Sequence, residues 1–196
     1  MSLRRRLPAT LAALTLLVGG AAACSSDNNS VANQAKAGDN KNFIQGDGTI
    51  EQIPSANRAE PITLSGTTLE GKPLDLADYR GKTVVINIWG SWCAPCQKEA
   101  PALKEVHENA DPAKVAFVGI DSRESAASGL AQQKAWDHTF PSLSDEGGTA
   151  PLSLQNKATA TPSTLVLDTQ GRIAAVFRGP IERSTLEGMI EDAQKA

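Results

Sequence analysis

The sequence has few cysteines, few aromatic residues and no excess of positive charge. Three of its 196 residues are cysteines and 4% are aromatic, while 19 basic side chains stand against 22 acidic ones. Without a positive field to neutralise phosphates, the chain is not expected to bind nucleic acid. Three cysteines are also too few for a disulfide-stapled small fold or a four-cysteine zinc site. The length instead predicts one ordinary domain with some additional chain.

The N-terminal end lacks an apolar run long enough to span a bilayer comfortably. Three arginines at positions 4–6 precede an apolar stretch at 7–18, and small residues then lead to Cys24. This three-part layout predicts a secretory signal peptide over residues 1–23. Its removal leaves 16 basic and 22 acidic side chains, a net charge of −6. Attraction to anionic lipid is therefore not expected to hold the mature protein on a membrane.

The small residues before Cys24 resemble a bacterial lipobox, in which the cysteine becomes the first mature residue and is acylated. Ala21 stands where that pattern prefers leucine, so secretion without an anchor is the alternative. Residues 25–42 are almost entirely polar or small and cannot offset the entropy of ordering. We therefore assign residues 24–58 to a lipidated N-terminus with a flexible tether, and residues 59–196 to the folded domain.

The folded part begins with signals for short strands. Residues 62–76 predict a β-hairpin extension of short strands, with turns at Ser65-Gly66 and at Glu70-Gly71-Lys72. The β-branched and aromatic run 83–89 predicts a central strand buried on both faces. Further elements follow in the order helix from Cys93 to about 109, strand 114–121, helix 124–136, strand 140–143, strands 164–167 and 172–177, and helix 184–194. This order predicts an α/β domain with a mixed central sheet flanked by helices.

Cys93 and Cys96 stand where the central strand gives way to a helix. Two sulfurs separated by two residues can close a small disulfide ring, which thiol-disulfide exchange requires. At a helix N-terminus the macrodipole and the free N–H groups stabilise a thiolate at Cys93. Pro95 removes an N–H that the first turn cannot use, and Trp92 is expected to form an exposed apolar platform beside Cys93.

Two other interpretations of this Cys-x-x-Cys pair carry less weight. Half of a zinc site would need two further ligands, and with Cys24 lipidated only His107 and His138 remain, neither at a usual spacing. A purely structural disulfide closing so short a loop would add little stability. No metal and no cofactor are therefore expected, and both histidines are assigned to the surface.

The region 61–194 resembles the thioredoxin-fold family, and within it the membrane-anchored thiol-disulfide oxidoreductases of the ResA, TlpA and CcmG (DsbE) type. The resemblance rests on three segments, Tyr79-Arg80-Gly81-Lys82, Asn87 to Cys96, and Glu99-Ala100-Pro101. It implies a thioredoxin-like fold, with Cys93 as the nucleophile and Cys96 as the resolving thiol. It also implies that Thr161-Pro162 forms the cis-proline loop that lies against the disulfide and binds an incoming chain, whereas an ordinary trans turn before a strand is the alternative. Trp92, beside Cys93, is assigned to substrate binding together with this loop.

One departure from ordinary thioredoxins concerns the proton of the resolving thiol. Thioredoxins carry a buried aspartate six residues before the first cysteine, where this chain has Asn87, which cannot titrate. Glu99 lies three residues after Cys96 and so on the same face of the helix. The ResA resemblance implies that Glu99 takes over the proton transfer, whereas a solvated surface glutamate is the alternative.

The expected function is exchange of electrons with protein thiols and disulfides outside the cytoplasm, together with a membrane or extracytoplasmic electron-transfer partner. The family favours a reductase of the cytochrome c maturation type, with a disulfide-forming oxidase as the alternative. A thiol peroxidase is disfavoured because Gly90 and Ile86 stand where peroxiredoxins need threonine and proline. A copper chaperone of the Sco type needs Cys-x-x-x-Cys and a later histidine, for which His138 is a poor substitute.

Overall fold

A six-stranded mixed sheet forms the centre of the computed structural model, which describes residues 46–195. The strands are β1 Ile50–Gln52, β2 Ser65–Thr67, β3 Pro73–Asp75, β4 Thr83–Trp89, β5 Val115–Ser122, β6 Ser142–Asp145, β7 Ser163–Leu167 and β8 Ile173–Arg178. The α-helices are α1 Ala94–Asn109, α2 Ala126–Ala135, α3 Ala150–Ser153 and α4 Arg183–Gln194. Short 3-10 helices cover Ser55–Asn57 and Leu76–Tyr79.

Strand β4 occupies the middle of the sheet, whose order is β1-β8-β7-β4-β5-β6. All seven side chains of β4 are buried, as the sequence predicts for a strand covered on both faces. Strands β5 and β6 extend the sheet in parallel, whereas β7, β8 and β1 are antiparallel to their neighbours. The predicted α/β class with a mixed sheet is therefore confirmed.

Alternating side chains of β4 are buried in two separate apolar cores, one on each face of the sheet. Val84, Ile86 and Ile88 join the core that the hairpin segment and α3 cover, whereas Val85 joins the core beneath α1 and α4. The period of two along a strand sends neighbouring side chains to opposite faces, so one strand anchors both layers. Trp89, at the end of the strand, contributes instead to a third cluster that contains both cysteines of the Cys-x-x-Cys pair.

The predicted hairpin extension is present with one of its two predicted turns. Strands β2 and β3 pair antiparallel, with Ser65 opposite Asp75 and Thr67 opposite Pro73. The chain turns at residues 68–72, as predicted for Glu70-Gly71-Lys72, and Gly71 supplies the left-handed conformation with a φ of 78°. The turn predicted at Ser65-Gly66 was wrong, because both residues lie inside β2.

The folded region begins earlier than the predicted boundary at residue 59. Strand β1 lies within the 24–58 segment assigned to the tether, yet it pairs with β8 at the edge of the sheet. Glu51 accepts hydrogen bonds from Lys157 and from Arg178, the latter at 2.9 Å. Glu51, inside the segment assigned to the tether, therefore forms half-buried ion pairs that hold the strand.

A second ion pair joins this early segment to the domain. The guanidinium of Arg58 lies 3.1 Å from the carboxylate of Asp168, and each side chain is only 4% exposed. Because a buried charge is costly unless it is paired, this contact fixes residues 53–58 against the β7–β8 turn. The predicted signal peptide, Cys24 and the tether up to residue 45 lie outside the described residues.

Within residues 46–195 we find no helix that combines the length and the apolar character needed to cross a membrane.

Candidate active site

The Cys93 loop, residues 90–93, connects the end of β4 to α1. Gly90 is required there because a Cβ atom at this position would lie 2.5 Å from Nε1 of Trp92. The indole N–H of Trp92 donates to the carbonyl of Ser122 at 3.0 Å. Trp92 was predicted to be exposed, but the structure shows it half-buried, because this bond and the neighbouring apolar cluster draw the ring inward.

The sulfurs of Cys93 and Cys96 are joined by a disulfide bond, with their Cα atoms 5.3 Å apart. Cys93 is the N-cap of α1, and its sulfur accepts a hydrogen bond from the N–H of Cys96 at 3.2 Å. A helix N-terminus stabilises negative charge, so the geometry favours a thiolate on Cys93 over Cys96. Both residues are nearly enclosed, with exposures of 2% and 1%.

The Thr161–Pro162 peptide bond is cis. It immediately precedes β7, whose first residue Ser163 pairs with Ile88 near the end of β4. The register therefore brings this loop to the end of the sheet from which the Cys93 loop emerges. The carbonyl of Pro162 already accepts a hydrogen bond from the N–H of Gly179 at 3.0 Å.

Glu99 is buried on α1, one helical turn beyond Cys96, and is 2% exposed. One carboxylate oxygen accepts a hydrogen bond from the side-chain amide of Asn87 at 2.8 Å, and the other accepts from the N–H of Ile181 at 2.9 Å. Burial raises the pKa of Glu99 to about 8, although these two hydrogen bonds act in the opposite direction. The solvated surface position weighed as an alternative is therefore wrong.

The amide of Asn87 also donates to the hydroxyl of Thr164 on β7 at 3.2 Å. Asn87 thus links the buried carboxyl on α1 to two adjacent strands of the sheet. An asparagine at this position contributes orientation rather than a titrating group, because its amide has no proton to give up in the physiological range.

His138 is buried, with 7% of its surface exposed, and not on the surface as predicted. Its Nε2 atom lies 3.0 Å from the carbonyl of Ala100, and its ring packs against Trp136 and Phe140. Burial lowers the pKa of this imidazole, as it does for the half-buried His107. Among residues 46–195 no group of three or more acidic, cysteine or histidine side chains is arranged to hold a metal ion.

Sequence reasoning missed Glu124, which follows β5. Its carboxylate accepts hydrogen bonds from both the backbone N–H and the hydroxyl of Ser91. The contact joins the Cys93 loop to the loop that precedes α2, over a separation of 33 residues. No local pattern signals such a contact, because glutamate before a helix is common on any protein surface.

The chain is similar in sequence to a known protein family and to characterised relatives. The Redoxin family matches residues 51–190. Thiol-disulfide oxidoreductase ResA of Bacillus thuringiensis subsp. konkukian is 31% identical over 121 residues, which covers 62% of this chain and 69% of ResA.

Solved structures give the same result. A DsbF homologue from Corynebacterium diphtheriae superimposes with a TM-score of 0.67 at 35% identity, covering 76% of this chain and 98% of that one. A secreted thiol-disulfide isomerase from Corynebacterium glutamicum superimposes with a TM-score of 0.68 at 28% identity, covering 77% and 96%. The thioredoxin-like fold is confirmed. The chain belongs to the Redoxin family, and its fold and Cys-x-x-Cys pair make it a thiol-disulfide oxidoreductase of the ResA and DsbE type.

The raised pKa of Glu99 predicts a pH-dependent stability. The unfolded carboxyl ionises near pH 4.5, whereas the folded one keeps its proton to about pH 8. Glu99 should therefore contribute a fall in the free energy of unfolding of about 1.4 kcal/mol per pH unit within that window. Glu99→Gln should remove this contribution, as urea denaturation of the oxidised protein at several pH values can measure.

The matched control for this experiment is Glu105→Gln, which neutralises a half-exposed carboxyl on the same helix. That variant should retain the wild-type pH slope. Equal slopes for the wild type and Glu99→Gln between pH 5 and 8 would show that the folded carboxyl is already ionised there.

Proposed function

We propose that the protein reduces protein disulfides outside the cytoplasm, using Cys93 as the nucleophile and Cys96 as the resolving thiol. In this cycle the Cys93 thiolate attacks a substrate disulfide, forming a mixed disulfide and releasing one substrate thiolate. Cys96 then loses its proton and attacks the Cys93 sulfur, which releases the second substrate thiolate and leaves the enzyme disulfide. Two electrons pass from the dithiol pair to the substrate.

Glu99 is the proposed acceptor of the Cys96 proton. The two residues are three apart on α1 and both are buried, so their side chains occupy the same face of the helix. A free cysteine has a pKa of about 8.5, and burial brings the pKa of Glu99 to about 8. Groups with similar pKa values exchange a proton at little cost in either direction.

The observation that carries the direction of electron flow is the character of the charges around the dithiol pair. Ala94 and Pro95, between the cysteines, are uncharged, and the carboxylate of Glu124 accepts hydrogen bonds from Ser91 in the Cys93 loop. A strong oxidant requires a stabilised thiolate in its reduced form. Here the helix N-terminus stabilises the thiolate, whereas the carboxylate of Glu124 opposes it. This balance favours a reductant.

The substrates proposed from the ResA resemblance are the cysteines of apocytochrome c before haem attachment. Thr161, Pro162 and Trp92 are proposed to border the incoming chain. The cis peptide bond and the register at Ile88 support this placement, since they bring the loop to the end of β4. An electron donor in or near the membrane would return the pair to its dithiol form.

The direction of electron flow predicts a low reduction potential. A redox titration against glutathione or dithiothreitol should give a value near that of thioredoxin, about −270 mV. A value near that of DsbA, about −120 mV, would contradict a reductase and assign the alternative, a disulfide-forming oxidase. Cys96→Ser serves as the control, because a chain without the pair should show no two-electron transition.

Membrane attachment is proposed to depend on a lipid carried by Cys24. The lipobox-like sequence before it and the net charge of −6 after signal cleavage support a covalent anchor over electrostatic adhesion. Cys24→Ser should move the protein from the membrane fraction to the soluble extracytoplasmic fraction while the dithiol pair stays active. Equal release of the wild-type protein would instead indicate simple secretion.

A further inference from the structure

A groove of about 280 Å³ lies beside the proposed active site. Thr161 of the cis-proline loop borders it on one side, and Ile88 of β4 forms part of its floor. Ser122, whose carbonyl accepts the hydrogen bond of Trp92, borders it as well. The groove therefore borders the cis-proline loop directly and reaches Trp92 through its hydrogen-bond acceptor Ser122.

Arg123 lines this groove. Its backbone adopts a left-handed conformation, with φ at 62°, and its N–H donates to the carbonyl of Asp145 at 2.9 Å. The side chain packs on Gly148, where an added Cβ atom would lie 2.6 Å from Nε of Arg123. Because Gly148 has no side chain, the guanidinium of Arg123 has space to lie against it.

In the described part of the chain the Arg123 guanidinium makes no ion pair and no hydrogen bond. Two acidic residues next to it, Glu124 in sequence and Asp145 through the backbone bond, have side chains engaged with other groups. Glu124 binds Ser91, and Asp145 accepts hydrogen bonds from the backbone N–H groups of Thr149 and Ala150. A half-buried guanidinium with five donors and no acidic partner is suited to a carboxylate supplied by another molecule.

Part of the groove lining is apolar and exposed. Leu152 on α3 is 69% exposed, one of two large hydrophobic residues in the described chain that stand so far into solvent. Asp145 holds the start of α3 through the backbone bonds described above, so this wall has a defined position. The volume suits one or two side chains of an extended polypeptide rather than a folded partner or a large cofactor.

We propose that this groove binds the polypeptide segment next to the reactive cysteine of a substrate protein, and that Arg123 selects segments carrying an acidic side chain. The proposal rests on the function proposed above, because the groove gains this role from its position beside the cis-proline loop and Ser122. It adds a charge preference for the substrate to a site whose chemistry is set by Cys93 and Cys96.

The test uses disulfide-containing peptides that differ only at the residue next to a cysteine, which is Glu, Gln or Lys. The second-order rate constant for their reduction by the reduced full-length protein is measured at low ionic strength. The Glu peptide should react about two- to fivefold faster than the Gln peptide, as expected for a partly exposed ion pair, and the Lys peptide should react most slowly. The difference should shrink in high salt.

Variants of Arg123 then assign the preference to this side chain. Arg123→Gln should bring the Glu-to-Gln rate ratio to about one, whereas Arg123→Glu should invert it in favour of the Lys peptide. Arg123→Lys keeps the charge and should keep a ratio above one. The matched control is Lys114→Gln, which removes one charge from an exposed side chain outside the groove and should retain the wild-type ratio.

The Glu-to-Gln rate ratio does not depend on a general loss of activity, because both peptides are measured with the same variant. Equal rates for the three peptides, or a preference that survives in Arg123→Gln, would overturn the groove proposal while leaving disulfide reduction in place. Failure of every peptide to react would instead overturn the proposed function, and the groove proposal with it.

Discussion

The buried carboxyl of Glu99 is the constraint around which the candidate site is built. It lies on α1, accepts a hydrogen bond from Asn87 on β4, and accepts another from the N–H of Ile181 just before α4. One side chain thereby connects the helix of the dithiol pair to the central strand and to the C-terminal helix. A carboxyl with so little exposure keeps its proton at neutral pH, since ionisation in an apolar environment is costly.

This arrangement gives the proposed cycle a proton reservoir that solvent does not reach directly. The resolving thiol, Cys96, is as enclosed as Glu99, with 1% of its surface exposed. Bulk water is therefore a poor acceptor for its proton, whereas the ionised form of Glu99, whose fraction grows as the pH approaches 8, lies one helical turn away. Asn87 orients that carboxyl without competing for the proton. The neutral Ala94-Pro95 pair leaves the stabilisation of the thiolate to the helix N-terminus.

The central part of the fold could be predicted because its signals are local. The run 83–89 is apolar or β-branched throughout, apart from Asn87, and all of it is buried. The Cys-x-x-Cys pair at the start of a helix likewise depends on neighbours in sequence, and so does the i, i+3 relation of Cys96 to Glu99. Here spacing alone brings the relevant groups together.

Features that depend on distant contacts could not be predicted. Strand β1 is only three residues long, and its acidic residue Glu51 gives no local signal for a strand. Glu51 is held by Lys157 and Arg178, which lie 106 and 127 positions away in the sequence. His138 was predicted to lie on the surface, because its sequence does not show that Trp136, Phe140 and the carbonyl of Ala100 enclose its ring.

The role assigned to Glu99 is tested most directly by the rate at which the mixed disulfide on Cys93 breaks down at different pH values. Stopped-flow measurements on a single turnover with a disulfide peptide isolate this step. For the wild type we expect the rate to rise with an apparent pKa near 8. Glu99→Gln should be slower at neutral pH and follow only the higher pKa of the thiol. Identical rates and profiles for both proteins would contradict proton transfer from Cys96 to Glu99.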